Sequence, residues 1–322
     1  LTQYAPSIPG VLFVKFEMMF AVITPLLLTG AIAERVKFSA FVLFIVAWSL
    51  LIYYPLVHWI WGVGGWLNNL GVKDFAGGIV IHTSAGMGAL AAALVLGRRK
   101  DFGPSIMVPH SIPLAVLGSS LLWLGWFGFN AGSALASGGV AGNTVINTHM
   151  ASAVSALIWV GLSWMKTGKP SVIAAINGAI AGLAGITPAS GYVSVEHAFA
   201  IGIAIGIASY LGVLLIKDRL KIDDALDVSS VHGIAGIIGA LSIGIFASTA
   251  INPTGVNGLL YGNANQLLIQ AIGVGIAAGL GFGGTYIIMK VIDVLIGVRV
   301  SSKVEESGLD IEEHAERAYS DE

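Results

Sequence analysis

Two histidines occupy matched places in otherwise apolar stretches. His82 closes the run Asp74-Phe-Ala-Gly-Gly-Ile-Val-Ile-His82, and His232 closes Asp224-Ala-Leu-Asp-Val-Ser-Ser-Val-His232. An acid precedes each histidine by eight residues, and a Gly/Ala-rich apolar run follows it. Neutral imidazole both donates and accepts a hydrogen bond, and its pKa lies within reach of physiological pH. Ionisable groups in a bilayer are costly and mark pathways. A pair of imidazoles there could line a passage for a small hydrogen-bonding solute and hold a proton. Metal binding is the rival use. There is no Cys and no His-x-x-x-His, and an offset of eight places acid and histidine ~12 Å apart along a helix. Nucleophile, base and oxyanion donors do not converge in the sequence either, so an intramembrane enzyme is not indicated.

Other residues could handle a cation. Ring faces attract a partly dehydrated cation, which makes Phe20, Trp61 and Phe129 candidates. Phe16 and Trp126 lie close by in sequence, and Ser133 could add a hydroxyl acceptor. Interfacial belts account for Trp59, Trp66 and Trp123. Asp74 and Asp224 suit helix entrances, where a carboxylate caps free N–H groups. Glu17 is an acid within an apolar stretch, facing either an outer vestibule or a helix interface. Thr187-Pro188 followed by Gly191 reads as a helix break. Lys290 and Asp293 are three apart and could pair. His58, His110, His149, His197 and His314 need only structural readings.

These residues must be positioned by membrane helices. The chain has 322 residues, 56% hydrophobic and 11% charged, with a mean hydropathy of +0.85. Soluble chains carry about 25% charged residues, so most of this apolar surface faces lipid or neighbouring helices. A net charge of −2 gives no electrostatic footprint for nucleic acid. The 43 glycines fit closely packed transmembrane helices.

The spacing predicts nine apolar spans at about 11–33, 38–60, 75–97, 111–131, 144–165, 170–187, 196–216, 229–250 and 266–297. The two histidines then sit roughly two helical turns into the third and eighth. Alternate loops hold nearly all basic residues, from Arg35 and Lys37 to Arg299 and Lys303. That asymmetry puts the C-terminus in the cytoplasm. Residues 1–298 are expected to form the transmembrane domain, and 299–322 a cytoplasmic tail that is either a solvated end or a docking element. The His-bearing spans lie five apart and cross in opposite directions, which is the pattern of an inverted-topology repeat with its site at the midplane. The fold class is an all-α membrane protein, an inverted-repeat helical bundle. A five-span repeat unit implies eleven spans, of which nine are in this sequence. The expectation is an N-terminally truncated chain.

With these residues in view, the chain resembles the ammonium transporter (Amt/Mep/Rhesus) family. The carrying motifs are Phe20–Thr24, Ala33-Glu-Arg35, Asp74 to His82, Gly125-Trp-Phe-Gly-Phe-Asn-Ala-Gly-Ser133, Gly178 to Leu183 with Thr187-Pro188, and Val231-His-Gly233. The tail adds Gly308-Leu-Asp, His314 and Ala318-Tyr319. The resemblance implies an outer vestibule where Trp61, Phe20 and Ser133 receive ammonium, with Phe20 and Phe129 stacked as a gate below. His82 and His232 would line a hydrophobic pore, supported by Asp74, Phe16, Trp126, Thr187 and Asp224. Trp61 and Ser133 place the chain nearer the Amt/Mep branch, with its first two helices absent. Glu17 stands where relatives often carry Gln. The resemblance further implies a homotrimer in the cell membrane, a tail that can meet a PII-type signal protein, and no cofactor. An ammonium receptor signalling through its tail is the second reading, and a neutral-gas channel a weaker third.

Overall fold

A computed structural model describes residues 1, 3–103 and 109–317. Ala318 and Tyr319 of the tail motif lie outside the described residues. Eight helical segments are long and apolar enough to cross a membrane. They are α1 (Gly10–Ile32), α2 (Phe38–Leu70), α3 (Gly78–Leu96), α4 (Ile112–Gly132), α5 (Gly139–Thr167), α7 (Val195–Arg219), α8 (Ser229–Phe246) and α9 (Asn265–Ile296). Between α5 and α7 lies α6 (Val172–Ile186), an apolar helix of 15 residues. It is shorter than the expected 170–187 because Thr187 and Pro188 end it in a run of turns. At about 1.5 Å per residue it falls short of the ~30 Å hydrocarbon layer. The tail carries α10 (Ser302–Ser307) and α11 (Leu309–His314). Among the described residues no strand forms, and one isolated bridge pairs Val36 with Arg299. The architecture is an all-α membrane bundle.

Helix is forced on such a chain because lipid offers no partner for a free backbone N–H or C=O. Serine side chains start several helices: Ser111 accepts from the Leu114 N–H at 3.3 Å and Ser171 from the Ala174 N–H at 3.2 Å. Two large buried cores form, beside a small cluster of Trp126, Leu183 and Ala184. One gathers α1, α2, α3 and α9 around Phe44, Trp48 and Ile52, and the other gathers α5 to α8 around Trp159, Ile201 and Ile205. In the first, Trp48 Nε1 donates to Thr285 Oγ1 at 2.8 Å, tying α2 to α9. The outward faces are apolar: Leu121 and Leu124 on α4 and Val294 and Leu295 on α9 are all exposed, as lipid-facing residues should be. On α4 only Trp126 and Asn130 are buried.

The two histidine helices are closely apposed. A Cβ on Gly86 of α3 would lie 2.2 Å from the backbone of Gly233 on α8, so no larger residue fits this contact. Both helices open with a π-helical turn, Gly78–Thr83 and Ser229–Ile234, and each turn carries its histidine. The histidines therefore sit about one turn into their helices, not two. The acids lie ahead of the helix and fold back onto it, so they do not extend it.

Candidate functional site

Asp74 sets the start of α3. Its Oδ1 accepts from the Gly77 and Gly78 N–H groups at 2.9 and 2.7 Å, and its Oδ2 from Ile79 and Val80 at 2.7 and 3.0 Å. These are the four N–H groups that a helix start leaves without partners. Gly77 makes the approach possible through a left-handed φ of 108°. With both oxygens engaged and the residue buried, the carboxylate is a fixed cap. Its backbone carbonyl accepts from Trp61 Nε1 at 2.8 Å, so one turn of chain positions both Trp61 and the His82 helix.

Asp224 is the matching acid of α8, but it is less fully used. Its Oδ2 accepts from the Ser229 N–H at 2.7 Å and the Ser229 hydroxyl at 2.5 Å. Its Oδ1 is buried without a hydrogen-bond partner.

The histidines meet. His232 Nδ1 and His82 Nδ1 are 3.2 Å apart, and the rings lie 5.2 Å apart at 29°. A hydrogen bond between two Nδ1 atoms requires one to carry the proton and the other to accept it. His82 Nε2 is buried and has no hydrogen-bond partner. The indole of Trp126 stacks on His82 at 5.4 Å and 26°. That ring is itself anchored: Nε1 donates to Thr187 Oγ1 at 2.9 Å, and the Thr187 hydroxyl donates to Leu183 O at 2.7 Å.

An aromatic group lies beside the pair. Phe20 is 2% exposed. It meets Phe129 at 4.4 Å and 34°, Trp61 edge-on at 6.0 Å, and Phe16 edge-on at 4.7 Å. The expected stacking of Phe20 on Phe129 takes the form of this tilted contact. Phe129 in turn lies 6.0 Å from His82, so ring contacts run unbroken from Trp61 to the imidazole pair. Ser133 follows one turn after Phe129, and its hydroxyl donates to Phe129 O at 3.0 Å. With its proton spent there, its oxygen is left to accept. A groove of about 1450 Å³ is lined by Phe16, Phe20 and Phe129 at one end and passes both histidines. Asn177, Lys217 and Asp227 line its other end. Trp61 and Ser133 are not among its lining residues.

Several groups here are not apparent from local patterns. Arg35 and Asp223, both 0% exposed in their side chains, form an ion pair at 3.2 Å. Arg99 adds a pair to Asp223 at 2.8 Å and one to Glu34 at 2.9 Å. Burial would raise the Asp223 carboxyl, but hydrogen bonds from Arg99 and the Arg35 charge hold it below the usual carboxylate range. Lys217 pairs with Asp227 at 2.7 Å. The expected Lys290–Asp293 pair does not form: Asp293 Oδ1 accepts from the Val298 N–H at 3.1 Å, and Lys290 lies over the Tyr286 ring at 5.9 Å.

Comparison with known proteins completes the description. The sequence profile of the Ammonium Transporter Family matches residues 2–319. "Ammonium transporter 1" of Dictyostelium discoideum is 54% identical over 318 residues, 98% of this chain and 68% of that protein. The crystal structure of Candida albicans Mep2 superposes with a TM-score of 0.86 at 37% identity, covering 92% of this chain and 68% of that one. A structure described as "Sensor Amt Protein" gives a TM-score of 0.86 at 35% identity, covering 92% and 75%.

Proposed function

This chain belongs to the ammonium transporter family, and from that premise we propose that it recruits ammonium in an outer aromatic vestibule and conducts it past two histidines. The species that passes is NH4+, or NH3 with its proton carried separately. The observation that carries this reading is the 3.2 Å contact between His82 and His232 on a groove shared with Phe20 and Phe129.

Dehydrating a cation costs free energy, and the aromatic faces of Trp61 and Phe20 together with the Ser133 oxygen offset part of it. Phe20 and Phe129, in contact at 4.4 Å, close the path below until a thermal rotation opens it. Beyond them the groove passes imidazole, whose nitrogens accept an N–H and can take up its proton. Potassium is of similar size but has no N–H to donate and no proton to yield. Discrimination therefore rests on hydrogen-bond chemistry more than on diameter. Asp74 and Asp224 cap the two histidine helices, Trp126 and Thr187 hold the His82 ring, and Phe16 backs Phe20.

We assign the transporter domain to residues 1–298 and a cytoplasmic tail to 299–322, in a cell membrane. The resemblance further supports a homotrimer with one pore per subunit and a PII-type protein meeting the tail. The measurement that tests the reading is the response of reconstituted proteoliposomes to an ammonium gradient. A saturable ammonium-driven current or internal pH change, absent with potassium, is expected. No response above empty liposomes would refute it. A sensor role is favoured by one observation, the likeness to the structure described as a sensor. Ammonium-dependent protection of the tail from protease without transport would select that reading.

A further inference from the structure

The cytoplasmic end of the groove holds an ammonium group that belongs to the protein. Lys217 Nζ lies 2.7 Å from Asp227 Oδ1 and donates to Ala225 O at 3.2 Å. Asn177 Nδ2 donates to the other carboxylate oxygen at 3.1 Å, so the carboxylate is held from α6 with Oδ1 turned to the lysine. Asp227 stands at a left-handed φ of 59°, which costs a non-glycine residue about 1–2 kcal/mol, at the foot of the helix that carries His232. Lys217, Asp227, Asn177 and His232 all line the same groove.

We propose that these acceptors form a second ammonium-binding site, and that the Lys217 ε-ammonium occupies it as a tethered competitor. The proposal rests on the reading that ammonium traverses this groove.

A lysine head group and NH4+ present the same chemistry: a compact, strongly hydrated cation whose N–H groups seek oxygen. An ammonium arriving from the histidine pair meets an acceptor set already shaped for it. The side chains of the pair are 25% and 12% exposed, so the lysine can leave without unfolding the helix. Asp224 adds a second acid close by, with Oδ2 engaged by Ser229 and Oδ1 buried without a hydrogen-bond partner, and the remaining charges are paired or of the wrong sign. Asp218 pairs with Lys166, Arg99 pairs with Asp223 and Glu34, and Lys221 is a cation. Burial pushes the Asp227 carboxyl up to about 6, with Lys217 opposing the rise and Asp224 adding to it, so its charged form is favoured by a cation beside it. Ammonium accumulating inside would displace Lys217, and the bound ammonium would itself stand at the mouth of the groove and slow further cation exit. The site acts as a product-side brake.

The test uses the full chain in proteoliposomes sorted by orientation, with methylammonium uptake measured at rising cytoplasmic-side ammonium. Inhibition is expressed relative to each variant's own uninhibited uptake. A tethered group competes at a millimolar effective concentration, so Lys217→Met should lower the half-inhibiting ammonium concentration by about tenfold. Asp227→Asn should abolish the inhibition, and Lys217→Arg should leave the half-inhibiting concentration near that of the unmodified chain. The double variant Lys217→Met/Asp227→Asn leaves no buried charge unpaired and should behave as Asp227→Asn. If Lys217→Met left the inhibition unchanged, or if the double variant retained it, the pair would be a structural tie and the proposal would fail. Absence of any uptake by the unmodified chain would instead overturn the transport reading.

Discussion

Trp126 and Thr187 show how little freedom the histidine pair is given. The indole lies against His82 and is steered by one hydrogen bond to a threonine 61 positions away. Thr187→Val keeps the shape and removes the acceptor, leaving a buried N–H unpaired at a cost of about 1–3 kcal/mol. Thermal unfolding in detergent should fall by the corresponding few degrees, while Thr187→Ser should hold near the unmodified value. Trp61 makes a different prediction. If its ring face receives the cation, Trp61→Leu removes about 0.5–2 kcal/mol of attraction. The half-saturating ammonium concentration should rise several-fold with the maximal rate little changed. An unchanged half-saturation would support passage of a neutral gas, which needs no such platform.

Among the elements, α3 and α8 carry the argument. Their closest approach is Gly86 against Gly233, and Gly86→Val would drive them apart where the histidines meet. Loss of stability by about 1–3 kcal/mol is expected from such overpacking, together with loss of uptake in protein that still folds. Intact uptake by that variant would mean that this crossing does not set the pore. Much of this was legible in the sequence. Apolar runs gave the helices to within about five residues except at the end of α2, which runs to Leu70 where 60 was expected, Thr187-Pro188 marked where α6 stops, and the repeated acid-to-histidine spacing paired His82 with His232. Other features were not legible, for identifiable reasons. The π-helical turns that follow Asp74 and Asp224 leave the apolar pattern unchanged, and hydropathy does not register them. Arg35 and Asp223 are 188 residues apart, and each reads as an ordinary loop charge. Lys217 likewise read as one more cytoplasmic cation, although its partner Asp227 lies ten positions on, across a loop.

At the scale of the molecule, the face that carries the tail is a charge-locked layer. Arg35 and Asp223 join loops 188 positions apart, and Arg35 also donates to Ala31 O. Arg299 of the tail donates to Leu96 O at 2.7 Å, to Arg98 O at 2.7 Å and to Glu305 at 2.8 Å. Glu305 accepts from the Lys100 N–H at 2.9 Å, and Glu306 pairs with Lys100. Asp223→Ala would strand the buried Arg35 charge and cost about 3–5 kcal/mol, read as a large fall in thermal stability. The pH dependence follows from the depressed Asp223 carboxyl. Its contribution is present above the unfolded carboxylate value near ~4 and is lost as pH falls through the lower folded value. Hydrogen exchange in residues 97–100 and 222–226 should therefore quicken on acidification below about pH 4. Steady protection across that range would contradict the assignment. The central claim concerns transport by the assembled protein: two imidazoles, and not a pore diameter, reject potassium. Methylammonium uptake by His82→Ala/His232→Ala, measured with and without excess potassium, tests it most directly. Potassium should inhibit the double variant and leave the unmodified chain unaffected. Uptake by the double variant that remained indifferent to potassium would contradict the account.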